Sequence, residues 1–160
     1  ALAAALSLDA ADIGCAPYRP GRWSAGLPVT MVPLAGLAAM RRARADLSHW
    51  EAAFGAGPHA AFMFCRETDE AGHAFHARMF APTLGMAEDP ATGSAVAALA
   101  GLIARDGDFS DGTHDFAVEQ GYEMGRPSIL HLRIGLRGGV LESASIGGDA
   151  VLVSEGTIEA

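Results

Sequence analysis

Residues 88–95 read Glu88-Asp89-Pro90-Ala91-Thr92-Gly93-Ser94-Ala95, and from there to residue 104 every residue is apolar or glycine. A helix built from that run offers no face to water, so other structure has to enclose it. At roughly a dozen residues it is too short for a bilayer, which takes about 20. Its side chains are mostly small (Ala95, Ala97, Ala98, Ala100, Gly101), so strands can approach it closely. Two starts fit: Asp89 caps with Pro90 in the first turn, or Thr92 caps with Gly93 and Ser94 following. Both stay open from sequence. In either register the free N–H groups near Gly93 and Ser94 lie at the positive end of the helix dipole. A carboxylate or phosphate gains roughly 0.3–1 kcal/mol there, up to about 2 if partly buried. Arg105 suits the negative end, and Asp106-Gly107 break the pattern.

Outward from that helix, the chain reads mostly as short strands. Residues 1–6 and 8–13 suggest short helical turns, the second introduced by Asp9. Residues 22–26 and 27–34 read as strand, with Pro28 and Pro33 restricting them to edge or end positions. Residues 35–45 are expected to be helical with Arg41, Arg42 and Arg44 as the wet face, and residues 47–54 form another helix capped by Asp46. Residues 60–66 and 74–80 read as a hairpin, the second strand alternating Phe75, Ala77 and Met79 against His76, Arg78 and Phe80. Residues 116–120 are strand. Leu130, Leu132, Ile134 and Leu136 alternate with His131, Arg133, Gly135 and Arg137 over the clearest strand of all. Gly138-Gly139 is a hairpin turn, and residues 140–146, Gly147-Gly148 and residues 149–153 continue the meander. The expected architecture is α+β: a mostly antiparallel sheet curled as a barrel around a central apolar helix, which satisfies both the helix surface and the strand edges. All 160 residues are expected to form one domain.

Composition narrows the chemistry. Half of the residues are hydrophobic, enough for a real core, and the net charge of -8 argues against a nucleic-acid partner. All 11 basic residues are Arg, and the chain contains neither Lys nor Asn. Schiff-base and P-loop chemistry need the Lys; Cys-His-Asn catalysis needs the Asn. Cys15 and Cys65 are too few and too far apart for a disulfide framework or zinc cluster and read as buried thiols. With no signal segment and no membrane-length apolar run, a cytoplasmic protein without membrane partner is expected. The chain opens on Ala1-Leu2-Ala3 without an initiator Met, which suggests a piece of something longer.

Asp89 and Ser94 are the first candidates for chemistry. They are either a cap and a locally bonded helix residue, or a pair facing a ligand whose carboxylate rests on the Gly93 and Ser94 amides. Ser94 is no nucleophile elbow. His73 and His76 stand an odd number apart across a predicted turn and strand, which points them to opposite faces, so no metal site is expected. Arg78 and Arg126 are the other candidates; Arg78, on a strand, is either a solvent-facing residue, the commoner case, or a ligand contact. Arg126, between Gly125 and Pro127, sits on a rigid turn that suits either a structural anchor or a ligand platform.

Arg78-Met79-Phe80-Ala81-Pro82, then the Asp89-Pro90-Ala91-Thr92-Gly93-Ser94 run, then Glu119-Gln120-Gly121 and Gly125-Arg126-Pro127-Ser128, occur in that order. Together they resemble the C-terminal half of the PhzF-type phenazine-biosynthesis isomerase family. Ser24-Ala25-Gly26-Leu27-Pro28 with Val32-Pro33-Leu34 is similar to the start of that half. The resemblance implies a diaminopimelate-epimerase-like fold of two similar halves with the active site between them. It implies a cofactor-independent proton shift or epimerisation next to a carboxyl group, with the principal base, a Glu, in the N-terminal half. Asp89 would then be an assisting acid/base or polar orienter, with Ser94 beside it in the catalytic set, and Ser94, Thr92 and the Gly93 amide would hold the substrate. Related epimerases carry a reactive Cys where this chain has Asp89, which disfavours a two-thiol racemase. The implied partners are a small carboxylate substrate and the missing N-terminal half, with a homodimer left open. The rival reading is a catalytically silent anion-binding or assembly domain.

Overall fold

The apolar run does form a helix, and it serves as a crossover. The computed structural model describes residues 1–159. In chain order the elements are α1 (Leu2–Ala5), β1 (Gly21–Ser24), β2 (Pro28–Pro33), α2 (Leu37–Arg42), α3 (Leu47–Phe54), β3 (Ala61–Cys65), β4 (Phe75–Ala81), β5 (Met86–Asp89), α4 (Gly93–Asp106), β6 (Gly112–Gln120), β7 (Ser128–Arg137) and β8 (Val140–Gly148). The strands make one sheet in the order β1-β2-β3-β4-β6-β7-β8, with β5 paired to β4. All pairings are antiparallel except β2 with β3 and β4 with β6. Parallel neighbours need a long connection. Here α2 and α3 supply it between β2 and β3, and β5 with α4 supplies it between β4 and β6.

Helix α4 touches β1 and β2 near one end of the sheet and β7 and β8 at the other. A flat sheet could not reach it from both ends; the sheet is a curled half-barrel. Ala95, Val96, Ala98, Leu99, Ala100, Leu102 and Ile103 are buried. They share a cluster with inward residues such as Met31, Phe62, Phe75, Leu132 and Ile134. Gly101 shows how near the strands come: a Cβ there would stand 2.8 Å from the Trp23 ring of β1. Two expectations need correction. A narrow stripe at Ala97, Gly101 and Ala104 stays partly accessible, with Ser94 exposed, and β1 does not pair with β8 among the described residues. The barrel is not closed.

The alternation expected for residues 74–80 also fails as a burial pattern. Every residue of β3 and of β4 is buried, because a second cluster covers the outer face. Leu34, Met40, Trp50, Met63 and Phe80 belong to it. Helix α3 starts where its cap requires, the Asp46 carboxylate accepting the Ser48 N–H at 2.9 Å. The hairpin glycines behave as read: Gly138 and Gly139 have φ of 59° and 72°, and the Asp111 carboxylate accepts both their amides at 2.7 and 3.0 Å. Residues 149–153 do not continue the meander. They form no strand, and Val151, Leu152 and Val153 are exposed. Of the two cysteines, Cys65 is buried and Cys15 only partly so.

Leu99 is wholly buried at the centre of this arrangement. Leu99→Asp places an unpaired charge where no water reaches, costing several kcal/mol, comparable with the stability of a whole domain. The expected product is unfolded or insoluble; soluble protein with a cooperative circular-dichroism melt would contradict the packing described.

Candidate active site

Strand β4 has a forked edge. Its first half pairs with β6, Ala77 opposite Gln120, and its second half pairs with β5, Met79 opposite Asp89. The ends of β5 and β6 therefore face one another across the fork, and the Asp89–Thr92 turn leaves from that point. Gln120, fully buried, ties the turn down. Its Nε2 donates to the Asp89 carbonyl at 2.7 Å and to Thr92 Oγ1 at 2.9 Å, and its Oε1 accepts the Thr92 N–H at 3.0 Å. The Thr92 hydroxyl donates to Asp89 Oδ2 at 2.6 Å. Gly121 follows with φ of 81°, and a Cβ there would stand 2.3 Å from the Arg126 carbonyl oxygen and 2.8 Å from that of Pro90. Only glycine fits between the two turns.

Of the two helix starts left open by the sequence, the second is observed: Thr92 precedes α4, and its carbonyl accepts the Ala95 and Val96 amides at 3.1 Å. Its hydroxyl does not cap the helix but turns back to Asp89. The Gly93 and Ser94 amides remain as first-turn donors. A cleft of about 480 Å³ adjoins them, lined among others by Ala91, Gly93, Pro127, Ser128 and Ile146. Thus Asp89 and Thr92 touch, Gly93 borders the cleft, and the exposed Ser94 and half-buried Asp89 lie outside its lining.

Arg78 is not the solvent-facing residue expected from its strand position. It is 4% exposed, and its Nε and Nη2 donate to Glu88 Oε1 and Oε2, both at 2.8 Å. Nη1 donates to the carbonyls of Met40 and Ala43 at 2.8 and 3.0 Å. Arg78 thus binds the last turn of α2 to β5 with four of its five N–H donors. Arg126 is exposed, its amide donating to the Gly121 carbonyl at 2.9 Å. Burial, and then the neighbouring Cys15, push the Cys65 thiol up to about 12, which removes it as a nucleophile near neutral pH.

A second polar cluster lies at the other side of β6, and it corrects the reading of His73 and His76. They do not diverge: both Nδ1 atoms lie 2.8 Å from the Glu119 carboxylate, because His73 precedes β4 and is not bound by its pleat. Glu119 also accepts the Asp69 and Glu70 amides at 2.8 and 2.7 Å. His76 Nε2 lies 3.0 Å from Glu123. Burial works against charge on His76, Glu119 and Glu123, yet the hydrogen bonds of Glu123 and Glu119 hold His76 above its ordinary value, the Asp69 amide and then His76 hold Glu119 below its own, and His76 does the same for Glu123. Asp69, His76 and Glu119 each bring a ligand atom within 4.8 Å of the others, but a metal ion there would have to displace bonds already made. The Glu119-Gln120-Gly121 motif is therefore the segment of the candidate site whose structural role sequence reasoning missed. Its three residues in turn hold the 67–73 loop, the site turn and the crossing of two backbones.

Residues 2–156 match the model of the PhzC-PhzF family, described as phenazine biosynthesis-like protein. An uncharacterized isomerase of Mesorhizobium japonicum is 44% identical over 166 residues, covering 99% of this chain and 54% of that protein. The trans-2,3-dihydro-3-hydroxyanthranilate isomerase of Pseudomonas chlororaphis is 40% identical over 88 residues, 55% of this chain and 31% of that protein. The crystal structure of a PhzF-family phenazine biosynthesis protein from Bacillus anthracis shares the fold with a TM-score of 0.76 at 20% identity, over 95% of this chain and 54% of that one. The chain thus spans about half the length of the Mesorhizobium relative and of the Bacillus protein. No helix among the described residues is long and apolar enough to cross a membrane.

The histidine cluster predicts a pH dependence of stability. His76 is raised in the folded state, so its contribution is complete below its ordinary 6.5 and disappears as pH rises beyond that through the folded value. Glu119 and Glu123 are lowered, so theirs is complete above 4.5 and disappears as pH falls through the folded values. All three contribute fully between 4.5 and 6.5. Thermal melts of wild type should lose stability from 6.5 upwards, and His76→Gln should melt lower at pH 6 with that alkaline decline flattened.

Proposed function

The chain belongs to the phenazine biosynthesis-like protein family, and from that premise we propose that it is the C-terminal half of a cofactor-independent isomerase. The reaction is a proton shift or epimerisation next to the carboxyl group of a small acid, and an N-terminal half bearing the principal base completes the site. The names of the Mesorhizobium and Pseudomonas relatives support the reaction class. The span of about half the length of the Mesorhizobium and Bacillus proteins supports the division, and the helix touched from both ends of the sheet supports a diaminopimelate-epimerase-like half.

One observation carries the assignment of the site: Gln120 and Thr92 hold the 89–94 turn so that Asp89 remains half-exposed beside an accessible helix start. A carboxylate of the substrate rests on the Gly93 and Ser94 amides, where the helix dipole favours negative charge, with Ser94 Oγ and the Thr92 segment completing its grip. Asp89 supplies an acid/base group at the reacting carbon. The open position of Ser94 is what a site shared with a second half requires.

The test is hydrogen exchange with deuterated water on trans-2,3-dihydro-3-hydroxyanthranilate and related small acids. This chain alone should exchange nothing; joined to the N-terminal half of the Mesorhizobium relative, it should exchange the hydrogen next to the carboxyl group. In the joined enzyme Asp89→Asn should lower turnover by about 100- to 10,000-fold, the usual range for a general acid/base, with a smaller effect on affinity. Ser94→Ala should weaken substrate binding by about 1.5–3 kcal/mol if its partner is charged. A joined enzyme that binds small acids yet exchanges no hydrogen would identify a silent anion-binding domain instead.

A further inference from the structure

The hydrogen bonds around Gln120 have only one consistent set of directions. The Thr92 N–H can only donate and the Asp89 carbonyl can only accept, and these two backbone groups lie 3.0 and 2.7 Å from Gln120 Oε1 and Nε2. Exchanging the oxygen and nitrogen of the carboxamide would set donor against donor and acceptor against acceptor. The second Nε2 hydrogen then meets Thr92 Oγ1 at 2.9 Å, and since Nε2 cannot accept, Oγ1 must. The single hydroxyl hydrogen of Thr92 is left for Asp89 Oδ2 at 2.6 Å. With Gln120 fully buried and Thr92 8% exposed, water is poorly placed to take over any of these roles. Asp89 Oδ1 has no hydrogen bond to any of the described residues.

From this we infer that Gln120 and Thr92 decide which oxygen of Asp89 carries its proton: Oδ2 is kept as an acceptor, and Oδ1 is where a proton is taken up and released. A proton on Oδ2 would turn the oxygen that accepts the Thr92 hydroxyl at 2.6 Å from a carbonyl into a hydroxyl oxygen, a weaker acceptor, so the neutral acid keeps that bond best with its proton on Oδ1. The inference rests on the reading of Asp89 as an acid/base group and extends it to a single atom. In an isomerisation one proton leaves the substrate and one returns to it. When Asp89 takes the proton, the substrate C–H bond next to the carboxyl group breaks and leaves its electron pair on the substrate, while the Oδ1 lone pair forms the new O–H bond and the carboxylate becomes neutral. The C=Oδ2 group goes on accepting from Thr92, and release from Oδ1 restores the anion. Gln120 and Thr92 touch no reacting atom; they are positioning residues, and they spare the carboxyl group a choice between two proton sites.

Infrared difference spectroscopy on this chain, at a pH low enough to protonate Asp89, tests it without substrate. The band that Asp89→Asn removes is the Asp89 carboxylic C=O stretch. With Oδ2 as a hydrogen-bonded carbonyl oxygen, that band should lie at lower wavenumber in wild type than in Thr92→Val, and Thr92→Ser should bring it back. A band that Thr92→Val leaves in place, or that Thr92→Ser fails to restore, overturns the inference. Nuclear magnetic resonance of the isotope-labelled wild type gives a second reading that needs no variant. Both Gln120 side-chain amide hydrogens should exchange slowly with solvent, one showing a cross-peak to Thr92; rapid exchange of both would overturn it as well. Neither measurement involves turnover, so a failed relay and an absent isomerase activity are separate results.

Discussion

A helix without a polar face, lying in the crossover between two parallel strands, is the constraint on which the rest depends. β4 and β6 are neighbours running the same way, so the chain between them must travel back along the sheet, and here the returning segment is apolar almost throughout. It can be buried only if the sheet bends over it. The contacts of α4 with β1 and β2 as well as β7 and β8 are that bend, and the small side chains along the helix permit it. Apolar burial on the order of 25 cal/mol per Å² drives the packing, but the absence of bulk at Gly101 lets Trp23 approach.

The same crossover creates the candidate site. Because the chain leaves β4, doubles back as β5 and then enters α4, β5 and β6 compete for one edge of β4 and divide it. The fork leaves backbone groups of the turn without ladder partners, and buried backbone groups need partners. Gln120 supplies them with its carboxamide, one acceptor and two donors all used. A polar side chain buried with every bond made rigidifies its surroundings, whereas a half-satisfied one would be a liability. The turn that carries Asp89 is therefore held by the sheet, while Ser94 at the helix start remains in solvent.

Around this turn, charge is buried only where it is matched. Arg78 spans Glu88 and two carbonyls of α2, and His76 sits between Glu119 and Glu123. Such pairs contribute little net stability against hydrophobic replacements, but losing one partner leaves an uncompensated charge, which costs about 3–5 kcal/mol. Their effect is on geometry: one joins β4, β5 and α2, the other joins β4, the 67–73 loop and the turn after β6. The two sides of the fork are braced separately, and Gln120 stands between them.

Several features were legible in the sequence because they follow from local rules. The apolar helix, the Asp46 cap, the Gly138-Gly139 hairpin and the alternation of β7 depend on residues within a turn or two of one another. The Asp89–Ser94 run marked the turn proposed as the site, and its order with the later motifs marked the family. What the tertiary structure decided was the company each residue keeps. The alternation of β4 gives no hint that helices cover its second face, and Arg78 reads as solvent-facing until Glu88 and the α2 carbonyls are brought around it. His73 and His76 diverge on an ideal strand and converge here because the strand begins between them. Gln120 is one polar residue among many until the fork sets it opposite Asp89, 31 residues away in sequence. Periodicity reports which faces a segment has; only the packing of distant segments determines which of those faces are covered, and which buried polar groups must therefore find one another.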